Sequence, residues 1–265
     1  VASLLFSSSL SAVETDPVGY VTLTVNGSPD GSTAAYTSLS MSLENPVSAS
    51  GSLTDDPSSA VVTNTGAAYT PNEFAGTDAA GNATHYLQFV SDGLIVDIIA
   101  NDATTITTGT DLTGFAASGD SYVIKEHITI ADIFGADNDA GLTAGSNFAS
   151  SDLLYIMSSD GAGSFATYYV QDDPTPIGIL GGDGWRLVGD SSTDQSNVVV
   201  GPDDGLILAR STSGDIDIVV SGSVNVIDHQ RGLPSGFSMV SYPYPVDVTL
   251  DDSGIYTAIN GYLSG

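Results

Sequence analysis

The chain has 265 residues, with 32 acidic residues against four basic ones and a formal net charge of -28 at pH 7. This balance excludes nucleic acid as a partner, because a phosphate-binding surface needs clusters of Lys and Arg. It also disfavours binding to an anionic membrane surface. Because the sequence contains no cysteine, disulfides, thiol catalysis and thiolate metal sites are excluded as well.

The first twelve residues, VASLLFSSSLSA, are an apolar run followed by small residues. This pattern is typical of the latter part of a secretory signal, and it predicts an extracellular or cell-surface protein exported through its N-terminus. No other segment approaches the roughly 18 apolar residues of a membrane-spanning helix, so we expect no membrane span.

The same segment also has the mixed apolar and hydroxyl character of a β-strand that lacks a hairpin partner. An unpaired apolar strand promotes aggregation unless it completes another sheet. The alternative to a cleaved signal is therefore a strand donated to a neighbouring subunit. The residues that would then form the subunit interface are Val1, Leu4, Leu5, Phe6 and Leu10.

Alternation of apolar and polar residues with a period of two is the dominant pattern of the chain and predicts half-buried strands. The predicted strands lie at residues 18–25, 39–43, 85–90, 94–99, 121–130, 153–157, 165–170, 205–209, 216–220 and 246–250. Asn-Gly and Asp-Gly pairs between them favour tight hairpins, because both central residues of such a turn adopt positive φ. The pattern therefore predicts an antiparallel, all-β protein.

Helix signals are few. Thr70 to Glu73 has the pattern of a capping box, and Ile130 to Phe134, closed by Gly135, could form one helical turn. No βαβ spacing is present, which argues against a doubly wound nucleotide-binding fold.

A polar, glycine-rich segment at residues 135–145 suggests a boundary between two β-subdomains. We therefore predict an all-β, sandwich or barrel-like fold with an N-terminal extension at 1–14 and subdomains at 15–135 and 136–265. One continuous sandwich would give the same pattern.

No enzyme active site is recognisable. His85, His127 and His229 are not in a metal-ligand spacing, and no Ser lies in a G-x-S-x-G motif. Glu126 and His127 are adjacent in a predicted strand, so their side chains point to opposite faces. A triad of residues distant in sequence stays open, but the sequence predicts a protein that is not an enzyme.

Two weaker binding patterns are present. Asp137, Asn138 and Asp139 offer several oxygen ligands in a glycine-rich loop, as Ca²⁺ requires, although a solvated turn explains them better. Aromatic residues that could stack on sugars are Trp185, Tyr168, Tyr242 and Tyr244, and ordinary cross-strand packing uses the same residue types.

Four segments carry a resemblance: TDPVGY at 15–20, GDSYVI at 119–124, GWRLVGDSSTD at 184–194 and YPVDVTL at 244–250. With these the chain resembles a family of uncharacterised secreted bacterial proteins, whose members begin with a similar Thr-Asp-Pro-Val-Gly-aromatic stretch just after a signal peptide. The resemblance implies export and a β-rich fold, and it brings no activity or catalytic residue.

The sequence thus ranks three functions. The first is an extracellular, self-assembling filament or surface-layer subunit whose partner is another copy of itself, joined by N-terminal strand addition and firmed by salt or by Ca²⁺. The alternative is a secreted carbohydrate-binding or adhesive module that binds polysaccharide. A secreted hydrolase comes last.

Overall fold

A computed structural model describes residues 17–158, 161–172, 182–249 and 251–252. In these ranges the strands pair antiparallel, and the only α-helix has five residues, so the all-β prediction is confirmed. The strands are β1 (Val18–Val25), β2 (Ala35–Ser40), β3 (Leu43–Glu44), β4 (Val47–Ser52), β5 (Val61–Thr63), β6 (His85–Phe89), β7 (Ile95–Asn101), β8 (Thr105–Thr108), β9 (Ser121–Glu126), β10 (Ile128–Thr129), β11 (Leu153–Met157), β12 (Phe165–Gln171), β13 (Gly184–Leu187), β14 (Val199–Val200), β15 (Gly205–Arg210) and β16 (Ile216–Val224).

The helix α1 (Ile130–Phe134) lies where the sequence predicts it. Thr129 caps its N-terminus by accepting from the Asp132 backbone N–H, while the Asp132 carboxylate accepts from the Thr129 backbone. Gly135 ends the helix with φ 84°, a conformation that a side chain rarely adopts. A short 3-10 helix spans Phe148–Ser150.

One local prediction is confirmed in part and another is wrong. The chain forms a single turn at residues 71–74, in which the Glu73 carboxylate accepts from the Thr70 N–H at 2.9 Å. Residues 246–249 form no strand, and Leu250 lies outside the described residues. Pro243 and Pro245 remove two N–H donors just before this segment, which weakens its pairing.

The first unit, which we call the sandwich unit, contains a five-stranded sheet in the order β13-β12-β11-β15-β2 and a three-stranded sheet in the order β1-β16-β3. Both sheets contribute to one hydrophobic core, which includes Leu154 and Leu208 from the first and Val25 and Ile218 from the second. Helix α1 and the short β10-β14 pair add to the same core. The outer faces of the two sheets therefore point away from it on different sides.

The second unit, which we call the inserted unit, is a six-stranded sheet in the order β4-β9-β6-β7-β8-β5. It has a separate core with Leu87, Val96 and Ile124 among its members. The chain enters this unit through β4 and leaves it through β9, which pair side by side. The core of the sandwich unit includes residues on both sides of residue 135, and the predicted division there stays a prediction.

The two units meet at a polar junction. Lys125 forms a buried ion pair with Glu44 of β3 and donates to Gln88 Oε1 at 3.2 Å. Gln88 Nε2 in turn donates to the carbonyl oxygen of Asp228 at 3.1 Å. In the described ranges, no helix combines the length and the apolar character that a membrane crossing requires.

Candidate functional site

The outer face of the five-stranded sheet brings together alternate residues of several neighbouring strands. On β11, Leu154 and Ile156 point into the core, so Tyr155 points outward. The ladder registers place the matching residues of the neighbouring strands on the same side. The outward positions of β2, β15, β11 and β12 are Tyr36, Ser38, Ser40, Gly205, Ile207, Ala209, Leu153, Tyr155, Met157, Phe165, Thr167, Tyr169 and Gln171.

None of these outward residues is charged, and we call the outer surface of these four strands the charge-free face. On the fifth strand, β13, the outward residue opposite Tyr169 is Arg186, which is 3% exposed. A row of three rings crosses the charge-free face. The centroids of Tyr36 and Tyr155 lie 6.5 Å apart, and those of Tyr155 and Phe165 lie 6.3 Å apart. Tyr36 is 65% exposed and Phe165 39% exposed. Burial, with a smaller effect from Tyr36, raises the pKa of Tyr155, so its phenol stays neutral at physiological pH.

The aromatic residues singled out from the sequence lie elsewhere. Tyr168 points inward, next to the outward Thr167 and Tyr169, and Trp185 is only 1% exposed. The indole N–H of Trp185 donates to the Gly135 carbonyl at 2.9 Å, which fixes it in the core. Trp185 therefore offers no face to a sugar at the surface, whereas Tyr168, which is 3% exposed, lines a cavity of ≈ 300 Å³.

Tyr242 and Tyr244 are brought together. Their ring centroids are 5.2 Å apart, and the Tyr244 hydroxyl donates to the Ile227 carbonyl. They do not join Tyr168 or Trp185 in one platform. Tyr36, Tyr155 and Phe165 are not among the aromatic residues predicted from the sequence, although the alternation of Tyr155 with Leu154 indicates an outward ring.

The edge of the three-stranded sheet is a second surface of interest. In the described part of the chain β1 pairs only with β16, and its other edge is open. Val18 and Tyr20 of β1 and Val219 of β16 are exposed on the outer face. The predicted donor residues Val1, Leu4, Leu5, Phe6 and Leu10 lie outside the described residues, and strand addition stays a prediction.

The predicted calcium ligands form a local turn. The Asn138 side chain donates to the Leu142 carbonyl at 2.8 Å and accepts from the Leu142 N–H at 2.9 Å, so its oxygen is already used. Asp137 and Asp139 are exposed. Across the residues described, no group of three or more His, Cys, Asp or Glu side chains could hold a metal ion. Calcium binding stays a prediction.

A cleft lies between the two units. It comprises cavities of ≈ 560 Å³ and ≈ 300 Å³, and both are lined by Asp97, His127 and Arg231. His127 Nε2 lies 3.0 Å from Asp97 Oδ1, and the imidazole packs 4.6 Å from the Tyr86 ring. His127 is 6% exposed at its side chain, whereas Asp97 is 56% exposed. We call this the inter-unit cleft.

Arg231 forms the opposite polar group of the cleft. Its Nη1 donates to Asp203 at 2.5 Å and to Asp204 at 3.1 Å. Burial lowers the pKa of Arg231, but the two carboxylates outweigh burial and raise it overall. Burial raises the pKa of Asp203, but His229 and Arg231 outweigh it and hold that pKa below its ordinary value. The guanidinium and its partner therefore stay charged.

A histidine oriented by a carboxylate is the arrangement of a general base. Within the described ranges, however, no Ser or Thr hydroxyl is hydrogen-bonded to His127, since Nε2 contacts Asp97 and Nδ1 is buried without a partner. The cleft is thus better equipped for binding than for nucleophilic catalysis.

The charge-free face, the open edge of β1 and the inter-unit cleft are the three candidate functional surfaces of the chain. Comparison of the chain with protein-family models, with curated proteins and with solved structures finds no match in any of the three.

Proposed function

We propose that this chain is an extracellular structural subunit that assembles with copies of itself through the charge-free face. The observation that supports this proposal is the absence of charge from the outward positions of four adjacent strands, in a chain with 32 acidic residues among 265. Export is supported by the signal-like pattern of the first twelve residues.

Electrostatics favours a second copy as the partner. Two molecules of charge -28 repel one another, and at physiological salt this repulsion decays over about 8 Å. They can make close contact only where both surfaces lack charge. A basic partner would instead be attracted to the acidic remainder of the surface.

Packing favours the same partner. Large exposed aromatic residues such as Tyr36 and Phe165 are enriched at the centres of protein interfaces. Burial of apolar area contributes roughly 25 cal/mol per Å². Two sheets can pack face to face at a separation of about 10 Å with their side chains interleaved.

A second contact extends the assembly. Packing of two charge-free faces uses the same surface on both copies, so it closes as a dimer. Addition of the predicted N-terminal strand of one copy to the open edge of β1 in another is head-to-tail and does not close. The exposed Val18 and Tyr20 support a covering partner at this edge. Alternating the two contacts would build a filament.

The face contact is tested by light scattering and negative-stain microscopy of the purified protein. We expect the wild type to form particles larger than a monomer. The Tyr155→Ser/Phe165→Ser double variant should lose the face contact and form only monomers, or chains joined by N-terminal strand addition alone. Ile99→Ser is the matched control, because Ile99 is exposed on the inserted unit, and it should assemble like the wild type. Wild-type protein that remains monomeric at high concentration would overturn the proposal.

The role of cations is tested in the same assay. Raising the ionic strength to 1 M shortens the screening length to about 3 Å, so we expect sodium chloride to promote assembly. Calcium chloride at matched ionic strength should promote assembly to the same extent as sodium chloride, unless the predicted Ca²⁺ sites are occupied. In that case a chelator should reduce assembly.

The aromatic row gives the carbohydrate-binding alternative a specific test. If the wild-type protein is a monomer that co-sediments with an insoluble polysaccharide, and the Tyr155→Ser/Phe165→Ser variant does not, the charge-free face is a polysaccharide-binding surface and not an assembly contact.

A further inference from the structure

We infer that the inter-unit cleft binds a neutral saccharide through Asp97 and Arg231. This inference concerns a surface that the proposed assembly does not use, and it can hold or fail independently of it. It is carried by two anchored polar groups of opposite hydrogen-bonding character that line the same cavities.

The size and position of the cleft fit a ligand site. Its larger cavity, ≈ 560 Å³, lies inside the range of about 300–1,000 Å³ that small-molecule sites occupy. The lining combines β7 of the inserted unit with the segment at residues 230–234. Sites of this kind occur preferentially between domains.

Asp97 supplies a fixed acceptor. Its Oδ1 accepts from His127 Nε2, and because a carboxylate can only accept, the proton lies on that nitrogen. No described residue donates to the other oxygen, Oδ2, and the carboxylate is more than half exposed. The contact with the buried imidazole therefore orients a carboxylate oxygen that is free to receive a ligand hydroxyl.

Arg231 supplies fixed donors. Its Nη1 makes both contacts with Asp203 and Asp204. Among the described residues, no acceptor is hydrogen-bonded to its Nε or Nη2. The guanidinium is thus held through one nitrogen, and its remaining N–H groups are available to a ligand.

The charges of the cleft select a neutral ligand. Asp97, Asp111, Asp203 and Asp204 outnumber Arg231, so a carboxylate or phosphate would be repelled. The exposed N–H groups of Arg231 in turn disfavour an organic cation. A sugar hydroxyl can donate to a carboxylate or accept from a guanidinium, so one saccharide in these cavities can use both groups.

The apolar rim fits the same ligand. Phe115 and Leu233 line the larger cavity and are exposed. A sugar ring presents apolar C–H faces as well as hydroxyl groups, and an aromatic side chain can pack against such a face. Polar anchors beside an exposed ring are the combination that a saccharide needs.

The test is isothermal titration of the full chain with neutral hexasaccharides of glucose, xylose, mannose, galactose and N-acetylglucosamine. Hexagalacturonate is the charged comparison. We expect binding of at least one neutral hexasaccharide, and weaker or no binding of hexagalacturonate. The result should not depend on whether the protein is assembled.

Two variants locate the site. Asp97→Asn replaces the charged acceptor, and Arg231→Lys keeps a cation beside Asp203 and Asp204 but removes the planar donors. Each should weaken binding by about tenfold or more, since a hydrogen bond to a charged group is lost. Asp55→Asn, at an exposed carboxylate away from the cleft, should bind like the wild type. Thermal unfolding confirms that the variants are folded.

Failure of every neutral hexasaccharide to bind at millimolar concentration would overturn the inference. So would binding that Asp97→Asn and Arg231→Lys leave unchanged. Binding that is lost only in the Tyr155→Ser/Phe165→Ser variant would move the saccharide to the charge-free face and leave the cleft without a ligand.

Discussion

Two regions reverse the usual arrangement of polar residues outside and apolar residues inside: the charge-free face, and the junction between the two units. At the junction Glu44, Lys125 and Gln88 are buried. On the charge-free face Tyr36 and Phe165 are exposed. Each arrangement is unfavourable unless another group compensates for it, by pairing a buried charge or by covering an exposed ring.

The difference between the two regions is where the compensation comes from. The junction is compensated inside the chain, because Lys125 and Glu44 neutralise one another and Gln88 bonds to both units. The charge-free face is covered within the chain only in part: Tyr169 is buried beside Phe148, whereas Tyr36 and Phe165 stay exposed, which is why we propose a partner in another copy. Stability measurements should therefore be more sensitive to the junction than to the exposed part of the face.

The largest expected effect comes from breaking the buried ion pair. Lys125→Met leaves the Glu44 carboxylate buried without a counter-charge, and we expect a loss of about 3–5 kcal/mol in the free energy of unfolding. Urea denaturation measures it. The double variant Glu44→Leu/Lys125→Met removes both charges and should recover most of the loss. A single variant as stable as the wild type would show that the junction tolerates an unpaired carboxylate.

Two neighbouring residues of β11 compare the inner and outer faces directly. Leu154→Ala creates a cavity in the core of the sandwich unit, with an expected loss of about 2–5 kcal/mol. Leu153→Ala lies on the charge-free face, where Leu153 is only half-buried, and should destabilise the monomer less, by about 1 kcal/mol. Equal losses in thermal or urea unfolding of the monomer would mean that the outer face is already covered within the chain.

A smaller effect is expected from the neutral member of the junction. Gln88→Leu leaves the Asp228 carbonyl and one Lys125 donor direction without a partner, which should cost about 1–3 kcal/mol. Gln230→Leu, at an exposed position, is the control and should be nearly neutral. A Gln88 variant that matches its control would indicate that water replaces the amide.

The smallest effect is a dependence on pH at the cleft. The pKa of Asp203 in the folded chain lies below its ordinary value of 3.8. Its stabilising contribution is therefore complete above pH 3.8 and is lost as the pH falls through the folded-state pKa. The difference in unfolding free energy between wild type and Asp203→Asn should be constant at higher pH and shrink in strong acid. A difference that does not change with pH would contradict this.

Much of the fold could be predicted from the sequence because alternation and turn residues act locally. β1 and β11 begin and end where the sequence places them, and α1 spans the turn expected at Ile130 to Phe134, closed by Gly135. Sheet order could not be predicted, because the pairing of β15 with β2 depends on residues far apart in sequence. The failed strand at 246–249 shows that alternation is not sufficient next to two prolines.

The candidate surfaces were harder to predict for a physical reason. Tyr168 and Trp185 have the composition of a binding platform, but one step along a strand turns a side chain from solvent into the core. The register that exposes Tyr36 beside Tyr155 is set by β15, which lies between their strands. Asp97 and Arg231 meet in one cleft only because the two units pack together.

The pairing of β1 with β16 also has a consequence for how the chain folds. The hydroxyl of Thr24 donates to the carboxylate of Asp217, 193 positions away, near one end of an eight-residue ladder. β1 can therefore pair only after the chain has closed a long loop to β16, and loop closure over such a separation slows folding. The inserted unit can close on its own contacts meanwhile, so refolding should proceed in two kinetic phases, the faster one belonging to residues 47–126.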